Sequence, residues 1–309
     1  MVVQTRARSA GVDALAVGVP MRERLGAFER ALARAVRERA GGAGRLGEAV
    51  RYAALSPGKR VRPLLVLTAC EAVGGPWKRA LPGAIAIECV HAFSLVHDDL
   101  PAMDDDDFRR GRLTTHKKFG EALGVLTGDA LLAFAFEELS RLADEGVPPV
   151  RVVEAVRRLG RAAGADELVG GQALDIAAEG RRATAGRVRG IHARKTGALM
   201  GCALALGALA GDAAERTVHA LDDAGRKLGL AFQIQDDLLN AGSTLQTLGK
   251  RAGTDAARGK ATYPAAVGEA KARREAAALL RSVEVAIVRH CASPRLLLQV
   301  IEATGKRKR

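Results

Sequence analysis

Apolar residues recur at steps of three and four in one stretch after another of this 309-residue chain, with scarcely any strand-like alternation between them. In residues 22–40, Leu25, Phe28, Leu32 and Val36 form one stripe among Arg and Glu, the pattern of a helix with a single buried face. The same period returns at 64–73, 80–99, 121–144, 149–180, 184–210, 213–239 and 265–303, separated by Gly, Pro or short charged turns. The apolar share, 48%, is mainly Ala, Leu and Val, while aromatics are only 3%, which favours helices over strands and suffices for a core. No fixed-period repeat, low-complexity tract or interdomain linker breaks the series. The expectation is an all-α, single-domain fold over residues 21–304, with a disordered extension at 1–20 and a disordered basic tail at 305–309.

The run from Thr196 to Gly211 carries no charge, but it is shorter than a membrane span of roughly 20 residues and is interrupted by Gly197, Gly201 and Gly207. It reads as a buried core helix. Cys70, Cys89, Cys202 and Cys291 are widely spaced, three of them in apolar helical stretches, so neither a disulfide framework nor a zinc site is indicated. The first residues contain Arg and lack a long apolar segment, which argues against a secretory signal and makes a cytoplasmic location the default. A net charge of +13 favours anionic partners: nucleic acid, a membrane surface or phosphorylated metabolites. Charge alone does not choose among them, and a merely basic surface is equally compatible with it. Without a helix-turn-helix, zinc or RNA-binding signature, nucleic acid is not expected as a partner. Lys306-Arg307-Lys308-Arg309 is the one segment suited to weak contact with an anionic membrane.

Two acidic clusters stand where buried helices end. From Asp98 to Asp107 there are six carboxylates in ten positions, directly after the apolar run 80–97. They would repel one another, and the helix macrodipole disfavours negative charge at a C-terminus, so capping does not account for them. The second cluster, Asp236-Asp237-Leu238-Leu239-Asn240, follows another apolar helix, and Asp236 and Asn240 share a helix face. Each cluster is followed by cations: Arg109, Arg110 and Arg112 after the first, Lys250, Arg251 and Lys260 after the second. A hard cation such as Mg²⁺ together with a polyanion explains both signs, because Mg²⁺ takes a few carboxylates and lets phosphates and waters complete its octahedron. The spacing does not match an EF-hand.

These residues also carry a family resemblance. The segment from His91 to Asp104, His-Ala-Phe-Ser-Leu-Val-His-Asp-Asp-Leu-Pro-Ala-Met-Asp, followed by Arg109-Arg110-Gly111, resembles the first aspartate-rich motif of the trans-prenyl diphosphate synthases, in the form with two extra residues inside it. Gly170-Gly171-Gln172-Ala173-Leu174-Asp175, Lys195-Thr196-Gly197 and Phe232-Gln233-Ile234-Gln235-Asp236-Asp237 resemble the middle motifs and the second aspartate-rich motif. Leu248-Gly249-Lys250-Arg251 and the stretch from Asp255 to Pro264 complete the series in the family's order, over roughly residues 45–305. Bacterial farnesyl diphosphate synthases are the members most resembled. The resemblance implies a helical bundle around a deep central cavity, a homodimer, and several Mg²⁺ ions bridging the substrate diphosphate to the protein.

The residue roles that follow are those the resemblance implies. Asp98, Asp104 and Asp236 would hold metal, with Asp99 and Asp237 counted among the catalytic carboxylates. Arg109, Lys195, Lys250 and Lys260 would grip the allylic diphosphate, and Lys59, Arg62, His91 and Arg110 the isopentenyl diphosphate. Thr196 and Gln233 would turn oxygens toward a carbocation, with Gln172 and Asp175 as their supports. Phe93, five residues before Asp98, and Ser94 beside it would set product length, an aromatic floor stopping growth at fifteen carbons. Three departures stand out: Asn240 replaces a final carboxylate, Ser56-Pro57 replaces a common glycine pair, and Asp166 and Glu167 are two acids without an assigned role. Geranyl or geranylgeranyl diphosphate as product, a terpene cyclase and a non-catalytic partner subunit are the competing readings.

Overall fold

The computed structural model describes residues 18–180, 184–241 and 262–305, so Lys250 and Lys260 lie outside the described residues. The chain opens with α1 (Val19–Ala40), α2 (Gly44–Ala54), α3 (Val61–Ala72) and α4 (Leu81–Asp98), the last entered through a 3₁₀ turn at Trp77–Ala80. A two-stranded ribbon, β1 (Phe108–Arg109) with β2 (Arg112–Leu113), leads to α5 (Thr115–Phe119) and α6 (Glu121–Ser140). Next come α7 (Pro149–Ala163), α8 (Leu168–Ala178) and α9 (Ala185–His192), then a π turn, Ala193–Gly197, that runs straight into α10 (Ala198–Ala210). The long α11 (Glu215–Ala241), α12 (Tyr263–Val267), α13 (Glu269–His290) and α14 (Arg295–Gly305) finish the fold.

The uncharged α10 is the centre: every residue from Ala198 to Ala210 is buried, and α3, α4, α7 and α11 surround it. Small residues make this possible. A Cβ at Gly225 of α11 would stand 2.7 Å from Gly201 Cα, so the two helices meet backbone to backbone and no side chain larger than hydrogen fits there. On the other side α4 packs along α6, and α13 covers the outer face of α11. A separate apolar cluster of Val188, Leu230, Ile234, Leu238, Tyr263, Ala272 and Ala276 ties α9, α12 and α13 to the far half of α11. That cluster fixes the height at which the second acidic motif sits.

The apolar period located most helices but missed their interruptions. The stretch expected as one helix over 149–180 turns at Gly164, and Glu167, left without a role by sequence, pairs with Arg226 of α11 at 2.8 Å. The 265–303 stretch breaks at Cys291–Pro294, where Ser293 N donates to the Ala72 carbonyl. Residues 44–54, which the apolar period did not mark as a helix, form α2, which buries Ala49, Val50 and Ala54. The four cysteines are buried free thiols, pushed up by that burial. Among the described residues, one segment, Trp77–Asp98, is long and apolar enough to cross a membrane, yet 72% of its apolar window is buried inside the protein.

Candidate active site

The first acidic motif begins where α4 runs out. Asp99 N and Leu100 N still donate to Leu95 O and His97 O, after which the chain folds back so that Asp104 N donates to Asp98 O at 2.8 Å. Met103 N and Asp105 N both reach Leu100 O, closing a tight loop over Leu100–Met103. Asp105, at φ 47°, takes the left-handed conformation that Asp tolerates better than most residues. The loop accommodates the extra residues and returns Asp104 to Asp98. Burial pushes the Asp98 carboxyl up to about 6, with Asp104 and Asp99 adding to the shift while Lys195 and Arg109 oppose it.

Asp99 faces the other way. It is 3% exposed, and Arg109 clasps it, Nε to Oδ1 at 2.8 Å and the terminal nitrogen to Oδ1 at 2.6 Å. The adjacent Arg110 and Gly111, at φ 53° and 74°, form the turn of the ribbon, in which Arg109 pairs with Arg112 and Phe108 with Leu113. Two consecutive left-handed residues suit a tight hairpin whose twist matches its strands. A non-glycine residue held there is a strained conformation of the kind found at functional sites. Its effect is to split Arg109 from Arg110: the first points to Asp99, the second donates to Pro57 O at 2.7 Å. Gly58 makes room for it, since a Cβ there would lie 2.5 Å from the Arg110 guanidinium.

Arg110 joins a basic cleft lined also by Arg60, His91, Arg109 and Arg112. Burial holds His91 well below its ordinary range, and Arg62, Arg110, Arg109 and Arg60 press in the same direction, so its imidazole is neutral at pH 7. Burial likewise draws Arg62 down to about 10; Glu88 opposes the shift and Arg110 adds to it, and its Nε is buried without a hydrogen-bond partner. Arg62, His91 and Arg110 are thus close enough to act on one another, whereas Lys59 is exposed and is not among the residues that line the cleft. Sequence reasoning passed over Arg60 and Glu88. These form a 2.5 Å ion pair, completed by Glu29 at 2.9 Å, and both are almost fully buried. The signal was present in Glu88, a lone carboxylate in an apolar helix, which requires a cation nearby.

The second wall is built around the π turn. A π turn inserts one residue into the helical register and often marks a functional position. It carries Lys195, whose Nζ pairs with Asp175 of α8 at 2.9 Å, and Thr196, which is buried. The turn fits against Gly171, where a Cβ would stand 2.5 Å from Lys195 N. Gln172 is also buried, its Oε1 without a protein partner, as is Gln235 Oε1 on α11. Asp236 and Gln233 are half-buried on α11. Asp237 Oδ2 accepts from Tyr263 N at 2.7 Å and lies 3.6 Å from His192 Nε2. His192 is drawn down to about 4 by burial, Asp175 opposing and Lys195 adding. Asp237 therefore anchors the start of α12. Among the described residues no three His, Cys, Asp or Glu side chains are gathered closely enough to cage a cation unaided.

Phe93 and Ser94 sit on different faces of α4. Ser94 Oγ donates to His91 O, and Ser94 lies on the stripe of His91 and Asp98. Phe93 is 7% exposed, with its ring edge-on to His97 at 5.0 Å. His97 itself is seated against Gly128 of α6, with its Nε2 3.0 Å from Val125 O.

The Polyprenyl synthetase family profile matches residues 44–289. This chain belongs to the polyprenyl synthetase family. The farnesyl diphosphate synthase of Geobacillus stearothermophilus is 43% identical over 83% of this chain and 86% of its own length. The large subunit 1 of the heterodimeric chloroplastic geranylgeranyl pyrophosphate synthase of Arabidopsis thaliana is 46% identical over 77% of this chain, which spans 65% of that longer protein. Among solved structures, an FPP/GFPP synthase from Zymomonas mobilis superposes with a TM-score of 0.82 at 36% identity, covering 93% of this chain and all of that one (100%). The geranylgeranyl pyrophosphate synthetase of Pyrococcus horikoshii gives 0.84 at 29% identity, covering 96% and 99%. The all-α architecture read from the apolar period is that of these polyprenyl synthetases. The chain is accordingly a prenyltransferase of isoprenoid biosynthesis, with farnesyl and geranylgeranyl synthases equally near to it.

Proposed function

We propose that this polyprenyl synthetase joins isopentenyl diphosphate to an allylic diphosphate with the help of Mg²⁺ and stops at farnesyl diphosphate. The observation that carries the reading is the division of charge about the end of α4: an arginine cleft around His91 on one side, and Asp98, Asp104 and Lys195 on the other. Two diphosphates need two anion sites, whereas a cyclase needs one. The donor set fits magnesium, because Asp98 and Asp104 offer hard oxygens in an open arrangement and their mutual repulsion calls for a cation. When bound, Mg²⁺ would act as a Lewis acid on the leaving diphosphate, held by Asp98, Asp104 and Asp236.

The protein's own groups do the rest. Lys195 and Arg109, with Lys250 and Lys260 from outside the described residues, hold the allylic diphosphate and stabilise the charge that develops on it as the C–O bond ionises. Asp175 orients Lys195, and Asp99 orients Arg109, at the distances given above. Arg62, Arg110, His91 and Lys59 fix isopentenyl diphosphate so that its double bond faces the carbon left electron-poor, a positioning effect that contributes several kcal/mol. The neutral imidazole of His91 donates a hydrogen bond without adding a fifth charge to the cluster. Thr196 and Gln233 present oxygens to the carbocation, with Gln172 in support, and no protein base is assigned. Exposed Val125 and Leu126 on α6 offer an apolar patch to a second copy.

Phe93 sets the end point in this reading, its ring blocking extension beside α6. Purified protein supplied with isopentenyl diphosphate and dimethylallyl, geranyl or farnesyl diphosphate should accumulate a C15 product only when Mg²⁺ is present. Phe93→Ala should shift that product to C20 or longer. A C20 end point in the wild type would favour the geranylgeranyl relatives and remove the Phe93 argument, and an active Phe93→Ala enzyme with unchanged product would remove it as well. No condensation with any primer would reject the enzyme reading in favour of a partner subunit. Asn240→Asp should at most raise magnesium affinity, since an amide oxygen can itself coordinate a cation or orient a water.

A further inference from the structure

Arg112 received no role from the sequence, yet it lines the same cleft as His91 and Arg110. It stands opposite Arg109 in the ribbon, and its guanidinium carbon lies over the ring of Tyr52, 4.0 Å from the centroid. Lys118 Nζ is 3.9 Å from the same centroid, and the Phe119 ring meets Tyr52 edge-on at 5.4 Å. The Tyr52 hydroxyl donates to Leu113 O at 2.8 Å, one residue beyond Arg112. The ring is therefore held at its tip and its sides. A guanidinium seated on an aromatic face gives up rotamer freedom in advance while its in-plane N–H donors stay available to a phosphate.

Charge compensation separates this arginine from Arg60 and Arg109. Arg60 is engaged by Glu88 and Glu29, and Arg109 by Asp99. Among the described residues no carboxylate comes within ion-pairing distance of Arg112. A cation in a cleft, immobilised by an aromatic ring rather than by an acid, has its full charge left for a ligand.

We infer that Arg112, seated on Tyr52, is a further guanidinium for the diphosphate of isopentenyl diphosphate. This rests on the reading of the cleft as the isopentenyl diphosphate site. Titration calorimetry with isopentenyl diphosphate as the probe tests it, alongside steady-state kinetics. Arg112→Gln should raise Kd and KM for isopentenyl diphosphate about tenfold, the loss of one charge-assisted contact, and leave KM for dimethylallyl diphosphate unchanged. Tyr52→Leu should weaken binding about threefold to tenfold, and Tyr52→Phe, which keeps the ring, should bind as the wild type does. The double variant Tyr52→Leu/Arg112→Gln should be no weaker than Arg112→Gln alone, because the ring acts through the guanidinium. Unchanged Kd in Arg112→Gln overturns the proposal, and so does a double variant in which the two losses multiply. If the wild type binds isopentenyl diphosphate but condenses nothing, the proposed reaction fails while Arg112 is still judged by its Kd. If the wild type does not bind it, both fall.

Discussion

Replacing Asp98 by Asn is expected to lower kcat for condensation by about 10³-fold while making the free protein more stable at neutral pH. In the proposed reaction the rate loss follows from removing a carboxylate that would hold the Mg²⁺ by which the leaving diphosphate is neutralised, where single electrostatic contributions are worth about 10²- to 10³-fold. The stability gain follows from the sign of the Asp98 shift. Its carboxyl is pushed up to about 6 in the folded protein, chiefly by burial, from an ordinary value of 3.8. A group with a raised folded pKa binds its proton more tightly in the native state, so its stabilising contribution is full below the unfolded value and disappears as pH rises through 6. At pH 7 Asp98 is therefore ionised at a cost, which Asn does not incur. Melting curves without metal, at pH 4 to 8, should show the variant pulling ahead of the wild type between pH 4 and 6 and keeping that lead above it. A wild type that gains on Asp98→Asn over that interval would mean that the carboxylate is compensated by the protein itself.

The second large effect is expected far from the aspartates. Glu88→Ala should destabilise the fold by about 3–5 kcal/mol, because it strands a buried arginine. Burial works against the Arg60 charge, and only Glu88 and Glu29 hold its pKa above the ordinary value. Glu29, whose side chain is 44% exposed, is screened by water and is a weak substitute for the enclosed Glu88. Arg60 also takes the left-handed conformation, φ 48°, where α3 begins, so its side chain and backbone are both committed. Denaturant unfolding of Glu88→Ala against the paired Arg60→Met/Glu88→Leu decides the point. The double variant should recover most of the loss, since it leaves no unpaired charge. A Glu88→Ala protein within 1 kcal/mol of wild type would show that Arg60 finds water.

How much of this was visible beforehand varies residue by residue. Asp98 and Asp104 were marked by their place at the end of an apolar helix, and their meeting depends on the fold-back at Leu100–Met103, a local event that the two extra residues announce. Asp99 was counted with them, but its side chain leaves α4 on another face and is enclosed with Arg109; one residue is about 100° of helix, and a run of acids does not say which carboxylate faces inward. Asp237 was likewise grouped with Asp236, yet it serves as an acceptor for Tyr263 N, a partner 26 residues away. Glu167 had no explanation until Arg226 appeared across the gap between α8 and α11.

The sequence by itself determined the fold class and the family, because helical period and ordered motifs are local properties written in residue order. Tertiary structure alone decided which of two like-charged residues is held in an ion pair within the protein: Asp99, clasped by Arg109, rather than Asp98, and Arg109 rather than Arg112, which rests on Tyr52. That distinction depends on partners such as Tyr52, Glu88 and Asp175, distant in sequence, and on the burial that sets the cost of each charge.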